Sequence, residues 1–262
     1  MTKPFFLLTG DDSVRAEGLI LVRRIVEKFA NVAIVATQKQ QSAVSGKLNF
    51  GPGKWGKEVV DGFETIWVDG SPGDAVNFAF DYLDRKPDFV ISGMNLGENV
   101  DNSLITSGTF SAALRASYCR ATPAIALSLE VPIEGTSWIH EHTGSFREEL
   151  LDYPGNMIEP IIKQYMERSK TWFGVWNVNF PKESTDKLKF TPTYSNNYFE
   201  NRIKVNTDNT FEYIYDKLNI KDIAPDSDVQ AMRDGYIAIT PIKYALTDRE
   251  ELERLKGISI LA

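Results

Sequence analysis

Along the first half of the chain, short apolar runs alternate with stretches of helical periodicity. Phe5-Phe6-Leu7-Leu8 is a continuous apolar run halted by Thr9-Gly10-Asp11-Asp12, which suits a strand buried on both faces of a parallel sheet. From Glu17 the rhythm changes. Leu19, Ile20, Val22, Ile25, Val26 and Phe29 recur at helical spacing, with Arg23, Arg24, Glu27 and Lys28 on a polar, solvated face. Asn31 is expected to close that helix, and residues 32–36 form a second apolar strand. Strand, helix and strand over this distance predict a βαβ unit with a right-handed crossover. The alternation continues with a helix over 74–83, a strand over 88–92, an alanine-rich helix over 107–118 and a strand over 124–129. Such an order predicts an α/β fold with a mainly parallel sheet, whose ligands bind beyond the strand ends.

Past residue 131 the pattern thins. Residues 135–144 read as a polar loop carrying both histidines, 157–168 as an amphipathic helix, 175–180 as a strand stopped by Pro181, and 235–242 as a last strand. Between these, residues 191–226 mix aromatic and polar residues with asparagine-rich turns, which fits hairpins or an extended arm.

Composition narrows the function classes. A chain of 262 residues suffices for one large domain, or for a core with an appendage. Its net charge of −7 argues against a nonspecific partner for a nucleic-acid duplex, which needs a basic face. A small anionic substrate stays compatible, because a bound cation reverses the local field. No segment approaches the roughly 20 apolar residues of a membrane span, and the N-terminal run is too short for a signal peptide. The single cysteine, Cys119, cannot form an internal disulfide and is expected to be a small buried helix residue. The resulting expectation is a cytoplasmic protein with no membrane partner.

Four polar clusters fall at expected strand ends or at a helix start: residues 9–13, 40–46, 92–99 and 106–109. Adjacent aspartates such as Asp11 and Asp12 are ordinary turn and cap residues. They also repel each other, and out of water they favour a cation between them. With a serine hydroxyl and an asparagine carbonyl they form an all-oxygen set suited to Mg²⁺, Mn²⁺ or Ca²⁺. Ser107 or Thr106 suits a helix cap, while Gly108 lets an anion approach the helix start. Gly93 and Gly97 suit turns that bend Asn95 toward the same edge.

Taken in order, these stretches resemble the SurE survival-protein family, metal-dependent nucleotidases that remove phosphate from nucleoside monophosphates. The likeness is carried by Phe6 to Asp12, by the serine loop Gln41-Ser42-Ala43-Val44-Ser45, and by the turn Asp69-Gly70-Ser71-Pro72-Gly73-Asp74. It continues in Ser92-Gly93-Met94-Asn95-Leu96-Gly97-Glu98-Asn99, Ser107-Gly108-Thr109, Asn177-Val178-Asn179-Phe180-Pro181 and the closing strand from Asp234. The resemblance implies a Rossmann-like three-layer core with a C-terminal hairpin region. It implies Asp11, Asp12, Ser42 and Asn95 as ligands of Mg²⁺ or Mn²⁺, and Ser107, Gly108, Thr109 and Asn99 against the phosphate or substrate. It further implies one domain over 1–262, with a core of about 1–185 and 227–250, and a homodimer or homotetramer built through an arm at about 190–226. Where the family has an asparagine before the aspartate pair, this chain has Gly10, and residues 194–202 are less basic than the family pattern.

The chemistry so implied is hydrolysis of a phosphate monoester, with Asp11 or Asp12 orienting water as a general base or Asp11 attacking phosphorus itself. Gly10 motivates an alternative: a weak or silent relative that binds metal or ligand in a regulatory role. A dinucleotide enzyme is disfavoured, since no Gly-x-Gly-x-x-Gly follows the first strand. His140 and His142 suit solvent exposure, and Tyr198 or Phe199 are candidates to stack on a base.

Overall fold

In the computed structural model, which describes residues 3–131, 144–245 and 247–256, the apolar runs assemble one nine-stranded sheet. Strand β1 (Phe5–Thr9) leads through helix α1 (Glu17–Val26) to β2 (Asn31–Thr37), which lies parallel beside it. A hairpin of β3 (Trp55–Val60) and β4 (Phe63–Val68) extends that edge. Helix α2 (Pro72–Tyr82) then returns the chain to β5 (Phe89–Leu96) on the other side of β1. From there α3 (Gly108–Leu114), β6 (Ala124–Leu129), α4 (Gly155–Ser169) and β7 (Val175–Phe180) build outward in parallel register. The short β8 (Leu188–Phe190) is the far edge strand. Next come a separate two-stranded hairpin of β9 (Phe199–Val205) and β10 (Phe211–Lys217), and helix α5 (Asp228–Arg233). Strand β11 (Ile237–Ile242) runs antiparallel to β7 and parallel to β8, and α6 (Arg249–Arg254) follows it.

Leu8, Ile91, Leu127 and Val178 face α1 and α4, whereas Leu7, Val90, Ala126 and Val175 face α2 and α3. Both faces are therefore apolar, which is why these strands read as continuous runs and not as alternations. A smaller cluster of Val100, Tyr194, Tyr198, Phe199, Val229 and Met232 packs α5 against the base of the hairpin. The chain winds from β1 toward β2 and β4, then jumps back and winds from β5 toward β7. The strand order thus reverses between β1 and β5, and in open parallel sheets the crevice at that reversal is where ligands bind.

Several expectations change. Asn31 opens β2 and does not close α1, which already ends at Val26. Periodicity leaves residues 55–68 without an element, yet they form a hairpin turned by Asp61 and Gly62, both at positive φ. That dipeptide is the signature of a two-residue hairpin turn, and β3 hides it by being polar and half-exposed. Arg23 and Arg24 are not a solvated pair. Arg23 is buried, and both guanidiniums converge on the Asp61 carboxylate, with Arg24 Nε at 2.7 Å. Asp61 is accordingly held below the usual carboxylate range, chiefly by its hydrogen bond from Arg24. Cys119 is exposed at the end of a widened helical turn that continues α3. His140 and His142 lie outside the described residues.

α1 approaches β5 closely enough that Gly18 has no room for a side chain: a Cβ there would lie 2.0 Å from the Met94 carbonyl oxygen. Gly18→Ala must push α1 off the strand that carries Asn95. The expected loss is about 2 kcal/mol or more by urea denaturation, despite the roughly 1 kcal/mol that Ala ordinarily gains over Gly in a helix interior.

Candidate active site at the strand-order reversal

Asp11 and Asp12 follow β1 after Gly10 and are 4% and 5% exposed. They do not cap α1, whose N-cap is Ala16 with no side-chain bond, so ordinary helix capping does not account for them. Each carboxylate is held by a different part of the chain. Asp11 Oδ1 accepts the hydroxyl of Thr109 from the first turn of α3. Asp12 Oδ2 accepts the Leu96 N–H at 3.2 Å, and its Oδ1 accepts Gln40 Nε2 at 3.1 Å. Gly108 permits the approach of α3, because a Cβ there would lie 2.7 Å from Asp11 Oδ2.

The loop carrying Ser42 is tied to the same place by hydrogen bonds from Gln41 N to the Asp11 carbonyl (2.6 Å) and from Ser45 N to the Thr106 carbonyl (2.9 Å). Asn95 arrives from β5 by way of a bulge. The β5–β6 pairing slips between Ser92 and Asn95, where Gly93 sits at positive φ with the Leu127 carbonyl against it. The extra residue re-aims the end of the strand. The Asn95 Nδ2 group donates to the Gly97 carbonyl at 2.6 Å, which fixes the side-chain amide and leaves Oδ1 as its acceptor atom. Thr9, Gly10, Asp11, Asp12, Asn95 and Met94 are among the residues lining a small cavity of about 10 Å³ here. A Cβ on Gly10 would meet only ordinary contact, 3.6 Å from Gly93 N.

Burial, and next the neighbouring Asp12 charge, push the Asp11 carboxyl up to about 7, even though Thr109 works in the other direction. Two carboxylates in this position favour a proton or a cation between them. Among the described residues no group of three or more His, Cys, Asp and Glu side chains forms a metal cluster. The two carboxylates and the nearby Asn95 side chain are oxygen ligands of the kind a hard divalent cation takes.

Other expected residues have duties within the protein. Ser107 Oγ caps α3 by accepting Phe110 N at 3.0 Å, and Thr109 is fully buried with its hydroxyl on Asp11. Asn99 is buried in an amide network. Its N–H donates to Asn179 Oδ1 at 2.8 Å, its carbonyl accepts both Asn177 Nδ2 (2.8 Å) and Asn179 Nδ2 (2.9 Å), and its own Nδ2 donates to Ser128. Tyr198 and Phe199 are buried against α5 and are core residues here, not free stacking surfaces. Sequence reasoning gave no role to Gln40, which reaches Asp12 and stands only two residues before Ser42, or to Asn177 and Asn179.

The profile of one family, Survival protein SurE, matches residues 6–200. The chain belongs to the SurE family. Proteins named 5'-nucleotidase SurE are similar to it over almost their whole length. The one from Methanocorpusculum labreanum is 30% identical, with 98% of this chain and 97% of that one covered. The one from Methanopyrus kandleri is 32% identical over 92% of each, and the one from Thermosipho africanus 29% identical over 95% of each. The crystal structure of the SurE protein from Aquifex aeolicus superimposes with a TM-score of 0.74 at 24% identity, covering 97% of this chain and 98% of that one. That likeness establishes the α/β fold with its mainly parallel sheet. Among the described residues no helix is long and apolar enough to cross a membrane.

The raised Asp11 carboxyl carries a linkage consequence. With divalent metal chelated, the folded protein binds more protons than the unfolded chain between the ordinary value of 3.8 and about 7. Stability in chelator should therefore fall as pH rises through that window and stay low above it. Asp11→Asn removes the liability. Near pH 8 in EDTA the variant is expected to melt higher than the parent by roughly 5 °C, the two curves converging toward pH 4. Parallel curves would show that the Asp11 charge is already compensated within the protein.

Proposed function

We propose that this chain hydrolyses nucleoside monophosphates to nucleoside and phosphate, with a divalent cation held by Asp11, Asp12, Ser42 and Asn95. The observation that carries this is the pair of buried carboxylates at the reversal of strand order, each fixed by a separate loop. The names of the relatives, 5'-nucleotidase SurE, supply the substrate class. A bound Mg²⁺ or Mn²⁺ would supply positive charge opposite the transferring phosphoryl group and make a nearby water more acidic. The protein's own part is placement. Thr109 and Leu96 fix the two carboxylates, so little reorganisation is needed when substrate arrives. The opening of α3 at Ser107 and Gly108 faces the phosphate, and Asp11 or Asp12 orients the attacking water as a general base or Asp11 attacks phosphorus itself. Asn99 supports the substrate side through its backbone anchorage.

Turnover of a nucleoside monophosphate panel with Mg²⁺ or Mn²⁺ tests the reading directly. Asp11→Asn and Asp12→Asn are each expected to lower kcat by roughly a thousandfold. Mn²⁺ should raise the parent's Tm by roughly 5 °C and leave that of Asp11→Asn unmoved. Full activity in Asp11→Asn, or no turnover by the parent with either metal, would sink the proposal. A metal response without turnover would favour the silent-relative alternative that Gly10 raised.

Assembly through the β9–β10 hairpin belongs to the same proposal. Its paired residues Ile203 and Tyr213, and Val205 and Phe211, share one face and are 51%, 60%, 79% and 60% exposed. A two-stranded ribbon with an uncovered apolar face is not independently stable in water, so a second copy of the chain is the expected cover. Light scattering should show a homodimer or homotetramer, and Val205→Lys with Phe211→Lys should shift it to monomer; a monomeric parent would refute this.

A further inference from the structure

The loop that presents Asn95 is also gripped from the hairpin. Glu98 lies three residues beyond Asn95, its side chain is 2% exposed, and Lys217 Nζ stands 2.5 Å from its Oε1. Lys217 is the last residue of β10, and the same ammonium is 2.6 Å from Oε1 of Glu130, just past β6. Burial pushes the Glu98 carboxyl up, and the Lys217 charge is what chiefly resists that. Glu98 and Glu130 border a cavity of about 40 Å³ closed by Tyr198, Met232 and Arg233, which belong to the hairpin base and α5. From Glu98 the way to the site is one residue long, because the carbonyl that fixes the Asn95 amide is that of Gly97. A buried carboxylate that loses its counter-charge must take a proton or turn toward water. Either movement acts on the Gly97 carbonyl on one side and on Asn99 on the other.

We propose that Lys217 is a positioning residue for the hydrolytic site: by neutralising Glu98 it keeps Gly97 where it orients Asn95, so seating of the hairpin sets the affinity for metal. The inference rests on the reading that Asn95 completes a cation site. Groups that act on a metal through its ligands typically change affinity by about ten- to a hundredfold when removed.

The test compares the full-length parent, Lys217→Arg and Lys217→Met. Apparent Mn²⁺ affinity is read from Tm across a titration, and hydrogen exchange is followed over residues 93–99 and 199–217. Lys217→Met is expected to weaken Mn²⁺ binding roughly tenfold and to quicken exchange over 93–99, whereas Lys217→Arg keeps the parent's values. Parent-like Mn²⁺ affinity in Lys217→Met, with faster exchange confined to 199–217, would make Lys217 an anchor of the hairpin alone and overturn the inference. So would an equal loss in Lys217→Arg, since the charge would then not matter. Should Lys217→Met fail to fold, Lys217→Gln removes the charge and keeps a hydrogen-bond donor for Glu98; weaker Mn²⁺ binding supports the inference and parent affinity overturns it. If the parent shows no Mn²⁺ response at all, the metal reading fails and takes this inference with it. A parent response preserved in Lys217→Met removes the inference alone.

Discussion

Two carboxylates on consecutive residues resist being taken out of water together, and here they sit at the buried end of a central strand. Much of the local architecture answers that constraint. Thr109 gives up its hydroxyl to Asp11, Leu96 and Gln40 turn donors toward Asp12, and Gly108 forgoes a side chain so that α3 can come near. These neutral dipoles lessen the repulsion without cancelling it, as the displaced proton affinity of Asp11 records. The remainder is a standing demand for positive charge, and that demand is what a metal-dependent phosphatase can use.

The fold was legible in the chain wherever strands were buried on both faces. β1, β2, β5, β6 and β7 announced themselves as unbroken apolar runs, and the change to helical spacing after Glu17 marked the first crossover. Legibility failed where burial was one-sided. β3 alternates exposed and half-buried positions, so its Trp-Gly-Lys-Glu sequence carries no run to detect. Only the Asp61-Gly62 turn could have signalled the hairpin. Arg23 and Arg24 misled for a related reason: a charged residue on a helix looks solvated until a distant carboxylate is known to face it.

The site shows the same division. Asp11, Asp12 and Asn95 could be singled out because strand ends of a parallel sheet share one edge. The work of Thr109, Asn99, Asn177 and Asn179 could not be read from residue type, since a buried amide that binds backbone and an exposed one that binds substrate are the same letter. Gly10 is clearer in the structure than in the sequence. The space beside it accepts a Cβ without conflict, so its small size is not imposed by packing. The residues around Asn95 form a chain of custody from Lys217 through Glu98 to Gly97, which puts the surface hairpin within reach of the chemistry.

The bonds that hold the two aspartates span long stretches of chain: Thr109 is 98 residues from Asp11, and Leu96 is 84 residues from Asp12. Contacts of such separation form no earlier than the pairing of β1 with β5, which closes a loop of similar length and costs the entropy of the intervening chain. A cation meeting a half-folded chain would find two hydrated carboxylates and nothing to complete its shell. Any stabilisation by such a cation would therefore belong to the finished molecule and not to the barrier before it. Divalent metal should lengthen the life of the native state by slowing unfolding, while leaving the speed of folding almost untouched.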